Sequence, residues 1–143
     1  MSTEENKALV YRYCEAWNKH NVAAMEEFYA PDFVVHGPAA FGDMDRARVK
    51  QTYTAFFPAF PDVHTTLEDV IAEGDKVVYR VTIRGTHRGD FMGNPPTGKQ
   101  VSWTAIEIER IEDDRFVEGW TNSDDLGLMQ QLGAIPQMAQ TEA

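Results

Sequence analysis

Apolar residues recur at helical spacing in the first part of the chain and at alternating spacing in the second. Ser2 followed by Glu5 has the form of a capping box, a common start of a helix. Behind it lies an apolar face with three- and four-residue spacing, formed by Leu9, Val10, Tyr13, Cys14 and Trp17. This pattern predicts a first amphipathic helix of about four turns.

Two more helices and a short strand are predicted before the spacing changes. Asn21 can cap a second helix that ends before Pro31 and has an apolar face of Val22, Met25, Phe28 and Tyr29. DFVVH, residues 32–36, is typical of a short strand that ends at Gly37-Pro38. A third helix is predicted from Asp43 to about Phe57, closed by Pro58 and Pro61, with one side formed by Val49, Tyr53, Phe56 and Phe57.

After Pro61 the period becomes that of strands. KVVYRVTIRG, residues 76–85, alternates as a strand does, and the turn signal Gly74-Asp75 before it predicts an antiparallel neighbour over residues 63–72. Residues 89–99, GDFMGNPPTGK, predict an irregular loop. The remaining elements are a long strand from Gln100 to Ile111, a tight turn at Asp113-Asp114, and a strand from Phe116 to about Ser123.

Helices followed by a four-strand antiparallel meander indicate an α+β fold in which the helices cover one face of a curved sheet. The 143 residues suit a single domain, 1–143, and the polar tail after about Pro136 is expected to fray. A strongly curved sheet roofed by helices would enclose a pocket. The face of the long strand that carries Ser102, Thr104, Ile106 and Ile108 could pair subunits in a homodimer or homotetramer.

Charge and hydropathy exclude several kinds of partner. The net charge is −10 and no basic stripe is present, so nucleic acid and anionic membranes are not expected partners. No apolar run approaches the roughly 20 residues that span a bilayer, and the N-terminus lacks the features of a signal peptide, which predicts a cytoplasmic protein. The single cysteine, Cys14, fits a reduced and buried thiol.

Large aromatic residues could line the pocket. Trp17, Phe33, Tyr53 and Trp103 occupy positions consistent with facing inwards. Such walls suit a flat, largely apolar ligand, although the same residues could serve only as core.

Three residues are candidate proton carriers. Trp103, Ala105 and Glu107 share one face of their strand, so Glu107 either points into the interior or is solvated near the pocket mouth. A carboxyl group in an apolar interior has a raised pKa and can carry protons near neutral pH. His36, before a turn, is either catalytic or structural.

The stretch VEGWTNSDDLGLMQQLG, residues 117–133, supplies the third candidate. Asp124 or Asp125 stands where a strand runs into a helix, so one of them can cap that helix, and Gly133 follows at the stop position. Asp124 could alternatively turn towards the pocket. No histidine pair has metal-ligand spacing, and the nucleophile, Walker and dinucleotide motifs are absent from the sequence, which predicts no metal and no cofactor.

Three segments in this order resemble the SnoaL-like polyketide cyclase (ester cyclase) family. They are YCEAWNKHNVAAMEEFYAPDFVVHGP, RGTHRGDFMGNPPTGKQV and VEGWTNSDDLGLMQQLG, and the resemblance covers residues 4–136. It implies a nuclear transport factor 2-like cone around one deep pocket, in dimers or tetramers. It also implies an intramolecular aldol condensation that closes a ring of an aromatic polyketide without metal or organic cofactor.

The resemblance also assigns residues. The family's catalytic aspartate falls on Thr121, one residue after Trp120, and its assisting histidine falls on Glu107. A threonine hydroxyl cannot act alone as a base near neutral pH. The pocket wall carries over as large groups, namely Tyr13, Trp17, Val49 and Tyr53.

Two classes of function remain open from the sequence. The first is an acid–base enzyme acting on a hydrophobic carbonyl compound, with polyketide cyclisation as the predicted reaction and isomerase or dehydratase chemistry as related alternatives. Its proton carriers would be Glu107, His36 and Asp124, and its substrate would be positioned by Thr121, Asn122 and Trp103. The second is a ligand-binding or accessory protein of the same fold, including one that assists a hydroxylation. Both predict a small hydrophobic, aromatic or polyketide-like ligand.

Overall fold

The computed structural model describes residues 2–37 and 42–136. Within them lie four helices: α1 (Thr3–Asn18), α2 (Val22–Glu26), α3 (Arg46–Ala59) and α4 (Asp125–Gln131). Each begins at a side-chain cap, and at α1 the capping box predicted for Ser2 and Glu5 is complete. None of these helices is both long and apolar enough to cross a bilayer. The tail predicted to fray lies outside the described residues, as does Pro38.

Six strands of the described chain form a single curved sheet. They are β1 (Tyr29–His36), β2 (Met44–Asp45), β3 (His64–Glu73), β4 (Lys76–Thr86), β5 (Gln100–Glu112) and β6 (Arg115–Ser123). Their spatial order is β2-β1-β6-β5-β4-β3. The predicted meander is confirmed as β3 to β6, and the sheet is extended by β1, which pairs with β6 in parallel, and by β2 at the edge.

Two tight turns connect strands of the meander. Gly74, with φ of 59°, turns β3 into β4, and Asp113 and Asp114, with φ of 50° and 60°, turn β5 into β6. Two consecutive residues with positive φ are the mark of a hairpin turn whose twist matches that of the strands. After the second turn the register of β5 and β6 shifts by one residue between Ile111 and Arg110, and beyond this irregularity Glu107 lies opposite Thr121.

Two predicted helix ends are wrong. The second helix ends at Glu26, and Tyr29 begins β1 because it pairs with Phe116 of β6, a partner far away in sequence. The third helix passes through Pro58 to Ala59. A proline in the last turn removes only one late N–H, so the helix ends just beyond it.

The helices cover one face of the sheet with a continuous apolar core. Val10, Phe60, Val77 and Phe116 are fully buried in it. Cys14 is a free, buried thiol, as predicted, and burial raises its pKa to about 12. On the opposite face, Ile106 is 50% exposed, and subunit pairing through that face stays a prediction.

Candidate active site

A cavity of about 320 Å³ lies between α1, α3, α4 and the helix-covered face of the sheet. Its wall is largely aromatic, with side chains from Tyr13, Trp17, Tyr29, Phe33, Tyr53, Phe56, Phe91 and Trp103. The four residues proposed as wall from the sequence and the two added by resemblance, Tyr13 and Val49, are all in this lining. Asp90 and Met92, both exposed, mark its mouth.

The aromatic wall is held by ring contacts between α1, α3 and β5. The ring of Trp17 meets those of Tyr53 and Phe57 edge-on, with centroids 6.1 and 5.2 Å apart. The Phe56 ring meets that of Trp103 in the same way at 6.2 Å. Edge-to-face contacts of this kind restrict the rings, so the cavity presents preformed apolar surfaces to a flat ligand.

Glu107 lies in the cavity wall, on the same face of β5 as Trp103. The Thr121 hydroxyl donates to Glu107 Oε1 at 3.0 Å from the neighbouring strand. Burial raises the pKa of the Glu107 carboxyl, and the hydroxyls of Tyr79 and Thr121 act in the opposite direction. The structure therefore gives Thr121 a definite contact, because its hydroxyl binds the one predicted proton carrier that faces the cavity.

Glu109 is a second cavity carboxyl that sequence reasoning missed. Its side chain lies two residues beyond Glu107 on the same face of β5, and the residue is 6% exposed. The Tyr79 hydroxyl donates to Glu109 Oε1 at 3.2 Å. Burial, followed by the charge of Glu107, raises the pKa of Glu109 well above its ordinary range. Strand alternation continued by one step from Glu107 would have found it.

The phenols of Tyr13 and Tyr29 also line the cavity. Together with Glu107 and Glu109 they form its polar floor. The hydroxyls of Tyr13 and Tyr29 form a short hydrogen bond in the buried part of the cavity. Burial raises the pKa of both phenols. They are thus neutral donors and acceptors at neutral pH, facing the same space as the two carboxyl groups.

His36 lies outside the cavity lining. Its two ring nitrogens donate to Asp43 Oδ2 at 2.9 Å and to Glu118 Oε2 at 2.8 Å. Two carboxylate partners favour the imidazolium form, because only a protonated ring can donate from both nitrogens. These hydrogen bonds, first that with Asp43 and then that with Glu118, raise the pKa of His36. The contacts fit an ion pair at the protein surface rather than a group that faces the cavity.

Replacing His36 by glutamine is expected to destabilise the fold most at pH values below the raised pKa of His36. Because the pKa of His36 is higher in the folded protein than its ordinary value of 6.5, its contacts stabilise the folded state fully below pH 6.5. This contribution to the free energy of unfolding is lost as the pH rises through the pKa of the folded protein. The stabilisation by His36 is also lost at low pH, where Asp43 and Glu118 become protonated. Urea unfolding at a series of pH values measures the difference, with the exposed His64→Gln as control. A difference that does not change with pH would contradict the assignment.

Asp124 also lies outside the lining, because it caps α4. Its Oδ1 accepts a hydrogen bond from the Gly127 amide at 2.9 Å, and the neighbouring Asp125 lines the cavity instead. The cap predicted for one of the two aspartates is Asp124, and Gly133 follows the helix with φ of 77°. Asn122, a predicted substrate contact, is exposed beside Ile106 on the other face of the sheet, since neighbours in a strand alternate.

Within the described residues, histidine, cysteine, aspartate and glutamate do not come together in any group of three or more that could hold a metal ion. The groups at the polar floor are hydroxyls and carboxyls with raised pKa. Such groups can exchange protons with a ligand and hydrogen-bond to its oxygens. The cavity is therefore equipped for acid–base chemistry on an apolar compound that carries oxygen.

A helix-roofed curved sheet around an aromatic cavity lined by carboxyl groups defines a class of small α+β pocket proteins. The model of the SnoaL-like polyketide cyclase family matches residues 7–132. The chain belongs to this family, and its fold is the nuclear transport factor 2-like cone. Among curated proteins, none matches the chain at a significant level.

Solved structures of similar proteins agree with the family. AclR from Streptomyces galilaeus, a proposed hydroxylase, has 32% identity and a TM-score of 0.89 over 97% of this chain and 87% of its own. IdmH from Streptomyces antibioticus, a proposed polyketide cyclase, has 34% identity and a TM-score of 0.77 over 90% and 98%. A proposed polyketide cyclase from Acidithiobacillus ferrooxidans has 30% identity and a TM-score of 0.80 over 94% and 99%.

Proposed function

We propose that this protein is an acid–base enzyme of the polyketide cyclase type, acting on an aromatic polyketide carbonyl compound, with Glu107 as the base. One observation carries the proposal. The carboxyl group of Glu107 lies in the wall of an aromatic cavity, and burial raises its pKa towards the range useful for proton transfer near neutral pH. The aromatic walls suit the flat rings of such a substrate.

The proposed reaction moves protons and forms one carbon–carbon bond. The Glu107 carboxylate takes a proton from a carbon next to a carbonyl, and the C–H electron pair forms an enolate. The enolate carbon attacks a second carbonyl carbon in the same molecule, and the oxygen of that carbonyl receives the proton from Glu107. The cavity holds the chain folded during these steps, which supplies much of the acceleration. The reaction as written needs neither a metal nor an organic cofactor.

Thr121 supports Glu107 in this proposal. At the place where the family resemblance implies a catalytic aspartate, the Thr121 hydroxyl donates to the Glu107 carboxyl. A donor at 3.0 Å fixes the orientation of the carboxyl and limits how far burial raises its pKa. The base has thus moved from β6 to the directly opposite position of β5, and Thr121 is its positioning residue.

A binding or accessory role in a hydroxylation is the second candidate, and the similarity to AclR, a proposed hydroxylase, suggests the reaction that it would assist. That proposed hydroxylase has the highest TM-score, 0.89, of the three structures compared above. A protein that assists hydroxylation would use the same aromatic walls to hold its ligand. It would not need Glu107 to remove a carbon-bound proton.

Exchange of a carbon-bound proton separates the two candidates. 2-Naphthylacetone carries a CH₂ group between an aromatic ring and a carbonyl, and this group exchanges slowly with D₂O by itself. We expect the protein to bind it and to speed the exchange above the rate in buffer, followed by NMR. Binding without faster exchange would reject the acid–base proposal and support the binding role. Cyclisation of an aromatic β-keto ester that can undergo the aldol reaction would then extend the test to the full reaction.

A further inference from the structure

We infer that Glu109 is a second catalytic group of this cavity, a neutral carboxylic acid that donates a proton to the substrate oxygen on which negative charge develops. This inference rests on the proposed function, because it assigns the acid partner of the base Glu107. The inference gives a role to the buried carboxyl group of Glu109, to which the family resemblance assigns none.

Position is the first support. Glu107 and Glu109 alternate onto the same face of β5, and residues two apart on a strand are about 6.6 Å apart along it. Both side chains line the one cavity of about 320 Å³. A carbonyl compound seated against this strand can therefore meet both carboxyl groups, one at a carbon-bound hydrogen and the other at the oxygen.

The contacts of Glu109 favour its protonated form. Oε1 accepts from the Tyr79 hydroxyl at 3.2 Å, and Oε2 is buried without a hydrogen-bond partner among the described residues. An ionised carboxylate with one hydroxyl donor has lost most of its hydration, which is costly, whereas a carboxylic acid does not bear this cost. The proton that keeps the group neutral is then available to a ligand.

The titratable groups around Glu109 add no positive charge. They are Cys14 of α1, Tyr29 of β1, Tyr53 of α3, Tyr79 of β4 and Glu107 of β5. Lysine, arginine and histidine are missing from the cavity lining over the described residues. Because Glu107 must be ionised to act as base, its negative charge further disfavours ionisation of Glu109.

Gly119 makes room for this carboxyl group. It lies opposite Glu109 in the register of β5 and β6. A Cβ atom at position 119 would lie 2.7 Å from Glu109 Oε2 and 3.3 Å from the ring of Phe33. The glycine therefore allows the carboxyl to pack against the backbone of β6, and a side chain there would displace it.

The proton balance of the reaction uses both groups. As Glu107 takes the carbon-bound proton, the C–H pair forms the enol double bond and the carbonyl oxygen takes the proton of Glu109. When the enol carbon attacks the second carbonyl, the enol O–H returns its proton to Glu109 and the new alkoxide takes the proton held by Glu107. Both residues end in their starting forms.

Infrared difference spectra and exchange kinetics of Glu109→Gln test the inference. Glutamine keeps the size of the side chain and an oxygen for Tyr79 but cannot give up a proton. Wild-type protein at neutral pD is expected to show the carbonyl band of a buried carboxylic acid, which Glu109→Gln lacks. Exchange of 2-naphthylacetone should fall about 100-fold in the variant. The exposed Glu73→Gln, on β3, is the matched control and should keep both.

Gly119→Ala is the second variant, in case Glu109→Gln does not fold. It retains the carboxyl group but displaces it, so we expect a shifted infrared band and slower exchange. No such band in wild-type protein, or full exchange activity in folded Glu109→Gln, would overturn the inference while leaving Glu107 and the proposed function intact. No exchange by wild-type protein would reject the proposed function and this inference with it.

Discussion

Glu107→Gln is expected to lower the rate of proton exchange on 2-naphthylacetone, and the turnover of an aromatic polyketide ester, by about 10²–10⁴-fold. The amide keeps the shape of the side chain and can still accept the Thr121 hydroxyl, which the carboxyl accepts at 3.0 Å. It cannot take a proton. Affinity for the ligand should therefore change little, because the aromatic walls are untouched.

The pH dependence of wild-type exchange gives the same prediction a second measurement. A base acts in its ionised form, so the rate should rise with pH through the raised pKa of Glu107. Thr121→Val should raise that pKa further, because it removes a hydrogen bond to the charged form, and should move the rising limb to higher pH. Exchange unchanged in Glu107→Gln, with binding retained, would exclude Glu107 as the base.

Phe116→Ala is expected to lower the free energy of unfolding by about 3–5 kcal/mol, the loss typical of a large aromatic residue removed from a core. Phe116 is 0% exposed and sits where the meander meets the N-terminal half of the chain. Its ring centroid lies 5.3 Å from that of Tyr13 and 5.8 Å from that of Tyr29. The substitution opens a cavity beneath the only parallel strand pair of the described sheet.

Urea denaturation of Phe116→Ala, read by circular dichroism, measures this loss. Ile71→Ala is the control, because Ile71 is also a large apolar residue of the sheet but is 64% exposed. Its substitution should change the free energy of unfolding by about 0.5 kcal/mol or less. Similar losses in the two variants would show that Phe116 does not hold the two halves together.

Much of the fold follows from local pattern. The capping box at Ser2 and Glu5 and the alternation in residues 76–85 are sufficient for α1 and β4, because helix and strand periods are properties of a few consecutive residues. The parallel pairing of β1 with β6 is different. Tyr29 and Phe116 pair although they are far apart in the sequence. The local pattern around Tyr29 therefore still predicts a helix, whereas the residues form a strand.

The site shows the same division. Strand parity placed Glu107 on the face of Trp103, and the structure puts both in the cavity wall. The alternation of side chains along β5 does not show how far the cavity extends along the strand. For this reason Glu109 was not predicted as a cavity residue. The sequence makes His36 a candidate proton carrier, whereas in the structure both of its ring nitrogens contact carboxylates, those of Asp43 and Glu118. Neither partner is apparent from the residues beside His36.

The sequence by itself determined the helix-then-meander order, the aromatic residues available for a wall and the cap at the start of the last helix. These depend on short-range periodicity and on hydrogen bonds between residues three apart, such as Asp124 and Gly127. Only the tertiary structure decided which carboxyl groups are buried. Burial among residues from distant segments raises the pKa of both Glu107 and Glu109, and the charge of Glu107 raises the pKa of Glu109 further. Surroundings assembled from distant segments cannot be read from any one stretch of the chain.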